Sequence, residues 1–536
     1  MQTPAPQAPS PPTDARVHAG RAALLFLGAL LLLLWGLGNN TLWSRDETTY
    51  ADIARQMLRD GDWLTLHWNG RPWLNHPPLF YWLMVVDFRV FGISEWAARL
   101  PAAVFGAAGV SLAYLWCVAL GRPRGAVVAA LALLLNVQYF LESRMAIIDS
   151  TFLFFISLTL FGFWLGWQGM QRGWLLFFSA CGLSCLAKGP WGVVFAFGVG
   201  VPFVMLGENR SRLAAVPWGW GLSLTALIGG SWYVAGALRH GEGFVRTVLG
   251  YYFLGRMTTQ VEHQGGPIWL YVPVLLAGFL PWSFLLLPAL RTLWTQWRNH
   301  EGSRLILCWI VVPFIGLSLA STKLPSYAGF LLPPCAIAVG VWVDGLRERR
   351  PLALPLALAA AFSLSLAAAV GWWGSTWVDI SQEAFAAAQH AFFILAVGLA
   401  MGAGAAWLPR APLAPLSLAA AGSLLFLLTV SLGFVPALEP SRSLQAAARV
   451  LQVAAPRETP KAFYGPGVFG LIFYGDDGPI DELVDEAALR AWLDSTPGGV
   501  LLLRRDTFAR LAPEVVLHLV PLAGTEREMV VRVRPQ

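Results

Sequence analysis

Leu42-Trp-Ser-Arg-Asp-Glu-Thr-Thr-Tyr50, the core of a stretch running from Thr41 to Pro101, follows directly on the first long apolar segment of the chain. That position puts it at a membrane surface, yet it is crowded with Arg45, Asp46, Glu47, Asp52, Arg55, Arg59, Asp60 and Asp62. Ser44 followed three residues later by Glu47 has the spacing of a capping box. It places Asp46 in the first turn of a helix, where the positive end of the macrodipole favours a carboxylate. Tyr50, Ile53, Ala54, Met57 and Leu58 then recur at helical spacing and give the helix one apolar face, the pattern of a helix lying in the interface rather than crossing it. Asp46 is therefore expected at the membrane boundary, ionised and fixed.

The rest of the chain supports a membrane setting. Its 536 residues are 56% hydrophobic and 13% charged, with 26 Trp and 32 Phe, a balance that excludes an ordinary soluble domain. The net charge of +6 comes from Lys and Arg scattered through short loops, which sets orientation in a bilayer and does not form a nucleic-acid stripe. All five cysteines lie in apolar segments, so no disulfide framework is expected; Cys181 and Cys185 share a helix face, but no His or further Cys completes a metal set.

Residues 1–21 are rich in Pro, Ala and polar residues and read as a disordered cytoplasmic tail. Ala22 to Leu37 reads as a retained first span. Further apolar runs at 97–120, 124–142, 146–169, 174–187, 190–206, 213–237, 268–290, 304–321, 326–346, 351–373, 390–408 and 413–435 bring the expectation to thirteen spans, each near the ~20 residues that cross a bilayer. Loops holding Arg122, Arg124, Arg172, Arg210, Arg212, Arg291 and Arg347 are basic and mostly short, as cytoplasmic loops are. The alternate set then faces outward, with Asp46, Asp149, Lys188, the 239–267 loop and Lys323, and the chain ends outside as well. The expected organisation is a transmembrane domain over 22–436, with interfacial helices in a first periplasmic loop at 41–96, and a small α/β periplasmic domain over 437–536. Strand-like runs at Lys461–Tyr464, Val500–Leu503 and Met529–Val533 mark that last domain. Within it Gly465-Pro-Gly-Val-Phe-Gly470 has dinucleotide-fingerprint spacing but is read as a plain turn, since a Pro stiffens it.

Several ionisable groups thus share one outer face: Asp46, Asp149, Lys188, Arg256, Glu262, His263 and Lys323 with Tyr327. Such a set suits group transfer on a lipid-linked substrate. Cations neutralise the phosphate as it leaves, and carboxylates orient or deprotonate the incoming nucleophile. No phosphate-cradling loop for a soluble nucleotide is present. A transporter or flippase of a lipid-linked substrate is the alternative; it would place charges at the bilayer midplane in broken helices and show repeated halves.

Arg45-Asp46-Glu47-Thr, Tyr50-Ala, Gly61-Asp-Trp63, Asn75-His76-Pro77-Pro78-Leu-Phe-Tyr-Trp82, Ala98-Arg99-Leu-Pro101, Asp149, Ala187-Lys188-Gly-Pro190 and Lys323-Leu-Pro-Ser-Tyr327 resemble the ArnT-type aminoarabinose transferases and, more distantly, the protein O-mannosyltransferases of the GT-C membrane class. The resemblance extends over roughly the first 345 residues. It implies an all-α polytopic GT-C fold with thirteen spans, an active site on the periplasmic side of the bacterial inner membrane, and inverting sugar transfer from an undecaprenyl phosphate to lipid A, another glycan or a protein. It implies Asp46 as the catalytic aspartate with Asp149 as the second acidic, catalytic position, and Lys188, Arg256 and Tyr327 as donor-site residues; Lys323, His76 and Glu47, within the same quoted motifs, are further donor-site candidates. Asn75-His76 stands where ArnT enzymes usually have Glu-Lys, so an acid able to hold a metal and a lysine that grips the phosphate are both replaced. No cofactor is assigned from these residues; a divalent metal is left open, with His263 and Glu262 as the candidates to hold it.

Overall fold

The computed structural model describes residues 12–43, 45–255, 265–373, 381–409, 411–456, 458–465, 467–475 and 478–534. Among the described residues, ten α-helices carry the chain to residue 240: α1 (Pro12–Leu34), α2 (Arg45–Asp60), α3 (Leu79–Phe91), α4 (Glu95–Ala119), α5 (Ala126–Leu134), α6 (Val137–Glu142), α7 (Asp149–Trp167), α8 (Gln171–Lys188), α9 (Trp191–Met205) and α10 (Trp218–His240). Seven strands are present among the described residues: β1 (His67–Trp68), β2 (Arg71–Pro72), β3 (Lys461–Tyr464), β4 (Ile480–Leu483), β5 (Val500–Arg504), β6 (Leu519–Gly524) and β7 (Glu528–Val533). The chain divides into two compact units, one of residues 1–36 and 102–434, the other of 37–101 and 435–536.

The first unit is a helical bundle. Among the described residues of the chain, nine helices are long and apolar enough to cross a membrane, or ten if Tyr271–Gly278 and Trp282–Gln296, bent by 112°, make one span. The expected count of thirteen is not reached by this measure, for identifiable reasons. Asn136 breaks the 124–142 run: its side chain accepts from Tyr139 N and donates to Ala132 O and Leu133 O, leaving α5 with 9 residues and α6 with 6. The 190–206 run becomes α9, only 15 residues long. The expected disordered tail also differs: α1 begins at Pro12 and is tied down where His18 Nδ1 meets the Tyr114 hydroxyl at 2.7 Å. Leu24, Leu31, Leu227, Val234, Leu238 and Leu287 stand exposed, a cost in water and none in hydrocarbon.

Close packing of α7 on α8 follows from three glycines. A Cβ at Gly162 would lie 2.5 Å from Phe177 N, one at Gly166 2.5 Å from the Trp174 ring, and one at Gly173 2.3 Å from Gly166 N. Small residues at this spacing let two helix backbones touch in a membrane. The hairpin turns at Gly169, whose φ of +93° a side chain would disfavour.

In the second unit, residues 37–101 pack with the C-terminal residues around a five-stranded sheet of order β4-β3-β5-β7-β6, parallel across β3, β4 and β5 and antiparallel beyond. One face holds Phe463, Leu471, Ile472, Val500 and Val530 with Trp68 packed against them; the other holds Leu489, Trp492, Leu501 and Val531. The first loop, expected as part of the transmembrane domain, joins this unit through specific bonds. Asn69, in the turn between β1 and β2, exchanges two 2.9 Å hydrogen bonds with the backbone of Ile480, and Trp68 stacks on Phe469 at 5.2 Å. Ten of the sixteen residues of α2 are buried, more than the single apolar face that its periodicity predicts.

Candidate active site

Two groups of sequence-selected residues are placed by these units. In the second unit Asp46 sits in the first turn of α2 and is exposed, while Ser44, expected as its cap, lies outside the described residues. Glu47 is only 2% exposed. Both of its oxygens face Arg99, at 2.8 Å from Nε and 3.2 Å from Nη2. Arg99 also donates to Leu37 O, Asn40 O and Thr41 O. The Glu47 carboxylate thus forms a fork-to-fork pair with Arg99 at the entry to α2. Farther along α2, Arg55 pairs with Asp52 and donates to Phe473 O at 2.8 Å and Ile472 O at 3.0 Å.

Tyr81 on α3 is fully buried, and burial pushes its phenol well above the ordinary range, with the Asp46 charge pushing in the same direction and Trp73 in the opposite one. Near Asp46 it stays a neutral hydroxyl. His76 meets the Tyr50 ring edge-on at 6.1 Å between centroids.

In the helical bundle Asp149 is the first residue of α7 and Lys188 the last of α8. The antiparallel hairpin brings these ends together, and Lys188 Nζ lies 2.7 Å from Asp149 Oδ1. Each charge also sits at the helix end whose dipole favours it. The Lys188 ammonium is 5.9 Å from the Phe152 ring centroid and 5.3 Å from those of Tyr327 and Phe330, within cation–π range. Tyr327 stacks on Phe330 at 5.9 Å. Lys323 is buried, with its ammonium 2.5 Å from Ala320 O. Arg144 reaches the end of α1, donating to Leu33 O at 2.7 Å and Trp35 O at 2.8 Å.

Glu142 and Gln138 were not singled out in the sequence. Gln138 Nε2 donates to Glu142 Oε1 at 2.9 Å and lies 3.2 Å from both Pro325 O and Ser326 O, so it links α6 to the segment that holds Tyr327. Both are buried. Their signal was available: a Gln and a Glu four apart in an otherwise apolar run. Arg256, Glu262 and His263 lie outside the described residues; among those described, no group of three or more His, Cys, Asp or Glu could hold a metal. In the turn read as plain, Gly465 and Gly467 take φ of +135° and +104° between β3 and the Phe469–Gly475 helix, while Pro466 is outside the described residues.

Residues 23–240 match the model of the dolichyl-phosphate-mannose-protein mannosyltransferase family. The undecaprenyl phosphate-alpha-4-amino-4-deoxy-L-arabinose arabinosyl transferase of Pseudomonas paraeruginosa is 31% identical over 342 residues, 62% of this chain and 61% of that protein. The protein of the same name from Erwinia tasmaniensis is 29% identical over 419 residues, 74% of this chain and 75% of its own. The match thus spans about three fifths of the length of the Pseudomonas relative. A crystal structure of ArnT from Cupriavidus metallidurans bound to undecaprenyl phosphate superposes with a TM-score of 0.83 over 96% of this chain and 99% of that one, at 22% identity, and shows the same fold.

Proposed function

We propose that this chain, an ArnT-like protein of GT-C fold, is an inverting membrane glycosyltransferase. In this reading it moves a sugar from a polyprenyl phosphate, undecaprenyl phosphate foremost, to an extracytoplasmic acceptor. The names of its relatives support 4-amino-4-deoxy-L-arabinose as the sugar, with lipid A as the acceptor ahead of another glycan or a protein.

The observation that supports this reading furthest is the Lys188–Asp149 pair among three aromatic rings. Charges inside an apolar bundle are costly, so they mark function before structure. In the reaction the bond from the anomeric carbon to the phosphate oxygen breaks, and its electron pair leaves with the polyprenyl phosphate. The acceptor oxygen forms the new bond from the opposite side, which inverts the configuration, while Asp46 takes a hydroxyl proton or orients an acceptor that is already anionic. Lys188, Lys323, Arg256 and His76 neutralise the leaving phosphate, Tyr327 shapes the donor site, and Asp149 sets the position of Lys188.

Asp149 and Lys188 lie at helix ends, and the break of the bent Tyr271–Gln296 pair carries no ionisable residue. Both features favour transfer over transport. The basic loops support a bacterial inner-membrane location with the site and the C-terminal residues on the periplasmic side. Mass spectrometry of the host's lipid A, glycans and envelope proteins, with and without this protein, tests the reading. A sugar modification that disappears with the protein is the expected result, and lipid A, glycans and envelope proteins all unchanged in mass would overturn it.

A further inference from the structure

The three residues leading into α2 are fastened by side chains about four hundred positions later. Glu439 Oε1 accepts from Thr41 N at 3.1 Å and from Thr41 Oγ1 at 2.5 Å, and its Oε2 accepts from the Trp43 indole at 2.6 Å. Between them Leu42 N donates to the Tyr474 hydroxyl at 2.8 Å, and that hydroxyl donates to Glu95 Oε1 at 3.0 Å. Burial pushes the Tyr474 phenol up, which keeps it neutral and able to do both. Every one of these residues belongs to the second unit.

We propose that Glu439 and Tyr474 are positioning residues for Asp46. By holding residues 41–43 they set the direction in which α2 starts and so aim the Asp46 carboxylate at its reactant. The C-terminal residues then support catalysis by positioning one of its groups. This rests on the reading of Asp46 as catalytic. Glu439 is only partly buried, so water could satisfy its carboxylate if it were released. What its three bonds supply is direction, and a misplacement of about 1 Å can lower a rate roughly a hundredfold.

Glu439→Gln keeps the size of the side chain but replaces one accepting oxygen with an NH₂ that cannot accept, so either Thr41 or Trp43 loses its partner. Trp43→Phe removes only the indole N–H. Turnover and KM are measured with a polyprenyl-phosphate sugar and normalised to folded protein, beside Asp46→Asn. The expected result for Glu439→Gln is a kcat lowered roughly ten- to a hundredfold with KM and Tm near wild type. Trp43→Phe should lose less, and the double variant no more than Glu439→Gln alone. Wild-type kcat in Glu439→Gln, or a loss that vanishes per folded molecule, overturns the proposal while an inactive Asp46→Asn leaves the Asp46 reading standing. An active Asp46→Asn sinks that reading first, and this proposal with it. Should Glu439→Gln fail to fold, Trp43→Phe decides: a lowered kcat supports the proposal and wild-type kcat overturns it.

Discussion

Lys188 Nζ lies 2.7 Å from Asp149 Oδ1, with the two side chains only 11% and 13% exposed. The pair joins the last residue of one helix to the first residue of its hairpin neighbour. Removing one partner breaks a buried ion pair, a change that costs about 3–5 kcal/mol in general, with Glu142 close enough to interact electrostatically with both groups. Lys188→Ala and Asp149→Asn should each lower Tm in detergent, and the double variant should recover part of that loss while staying inactive. A double variant no more stable than the worse single one would show that the two residues do not act as a pair.

Asp46→Asn is close to isosteric and removes only the charge. Transfer should fall by roughly 10²–10⁴-fold, the range for a lost general base, with expression and donor binding nearly unchanged. A purified variant that turns over at close to the wild-type rate would reduce Asp46 to a helix-start residue.

Arg256→Ala should weaken binding of undecaprenyl phosphate by about 1.5–3 kcal/mol, as the loss of a charge-assisted contact does. Titration of purified protein with the lipid phosphate measures it. Affinity equal to wild type would take Arg256 out of the donor site.

Asp87, half-buried on α3, has its carboxyl raised by burial to about 6. The folded protein therefore holds this proton more tightly than the unfolded chain does. The resulting stability is full below the ordinary carboxylate range and is lost as pH rises through about 6. Relative to Asp87→Asn, the wild-type Tm should drop between pH 4.5 and pH 7, by an amount moderated by partial exposure. A constant difference across that interval would show that Asp87 does not couple to folding.

All five native cysteines are buried, so they give a low background for labelling. A single Cys at the tip of the 239–267 loop, and one on the exposed face of the C-terminal sheet unit, should react with an impermeant thiol reagent in intact spheroplasts. Labelling only after lysis would place both on the cytoplasmic side, against the proposed orientation.

The amino-acid sequence by itself determined the membrane character, the helix that starts at Arg45 with Asp46 in its first turn, and three of the five strands of the C-terminal sheet. Each of these is written in local periodicity or composition, which needs no partner to be read. Asn136 shows the limit of that reading: hydropathy counts an apolar run, whereas one buried amide that bonds the preceding turn and caps the next ends a helix inside it.

Tertiary structure decided what each charge faces. Glu47 meets Arg99 across 52 positions, Lys188 meets Asp149 across 39, and Thr41 meets Glu439 across 398. A charged side chain in a loop has many partners within reach, and its local sequence does not choose among them. The choice is made when long-range packing excludes water and leaves one geometry in which the polar groups are satisfied. That is why the partner of Glu47 and the places of Glu142, Glu439 and Tyr474 were not legible in the sequence, and why the first loop belongs with residues about four hundred positions downstream.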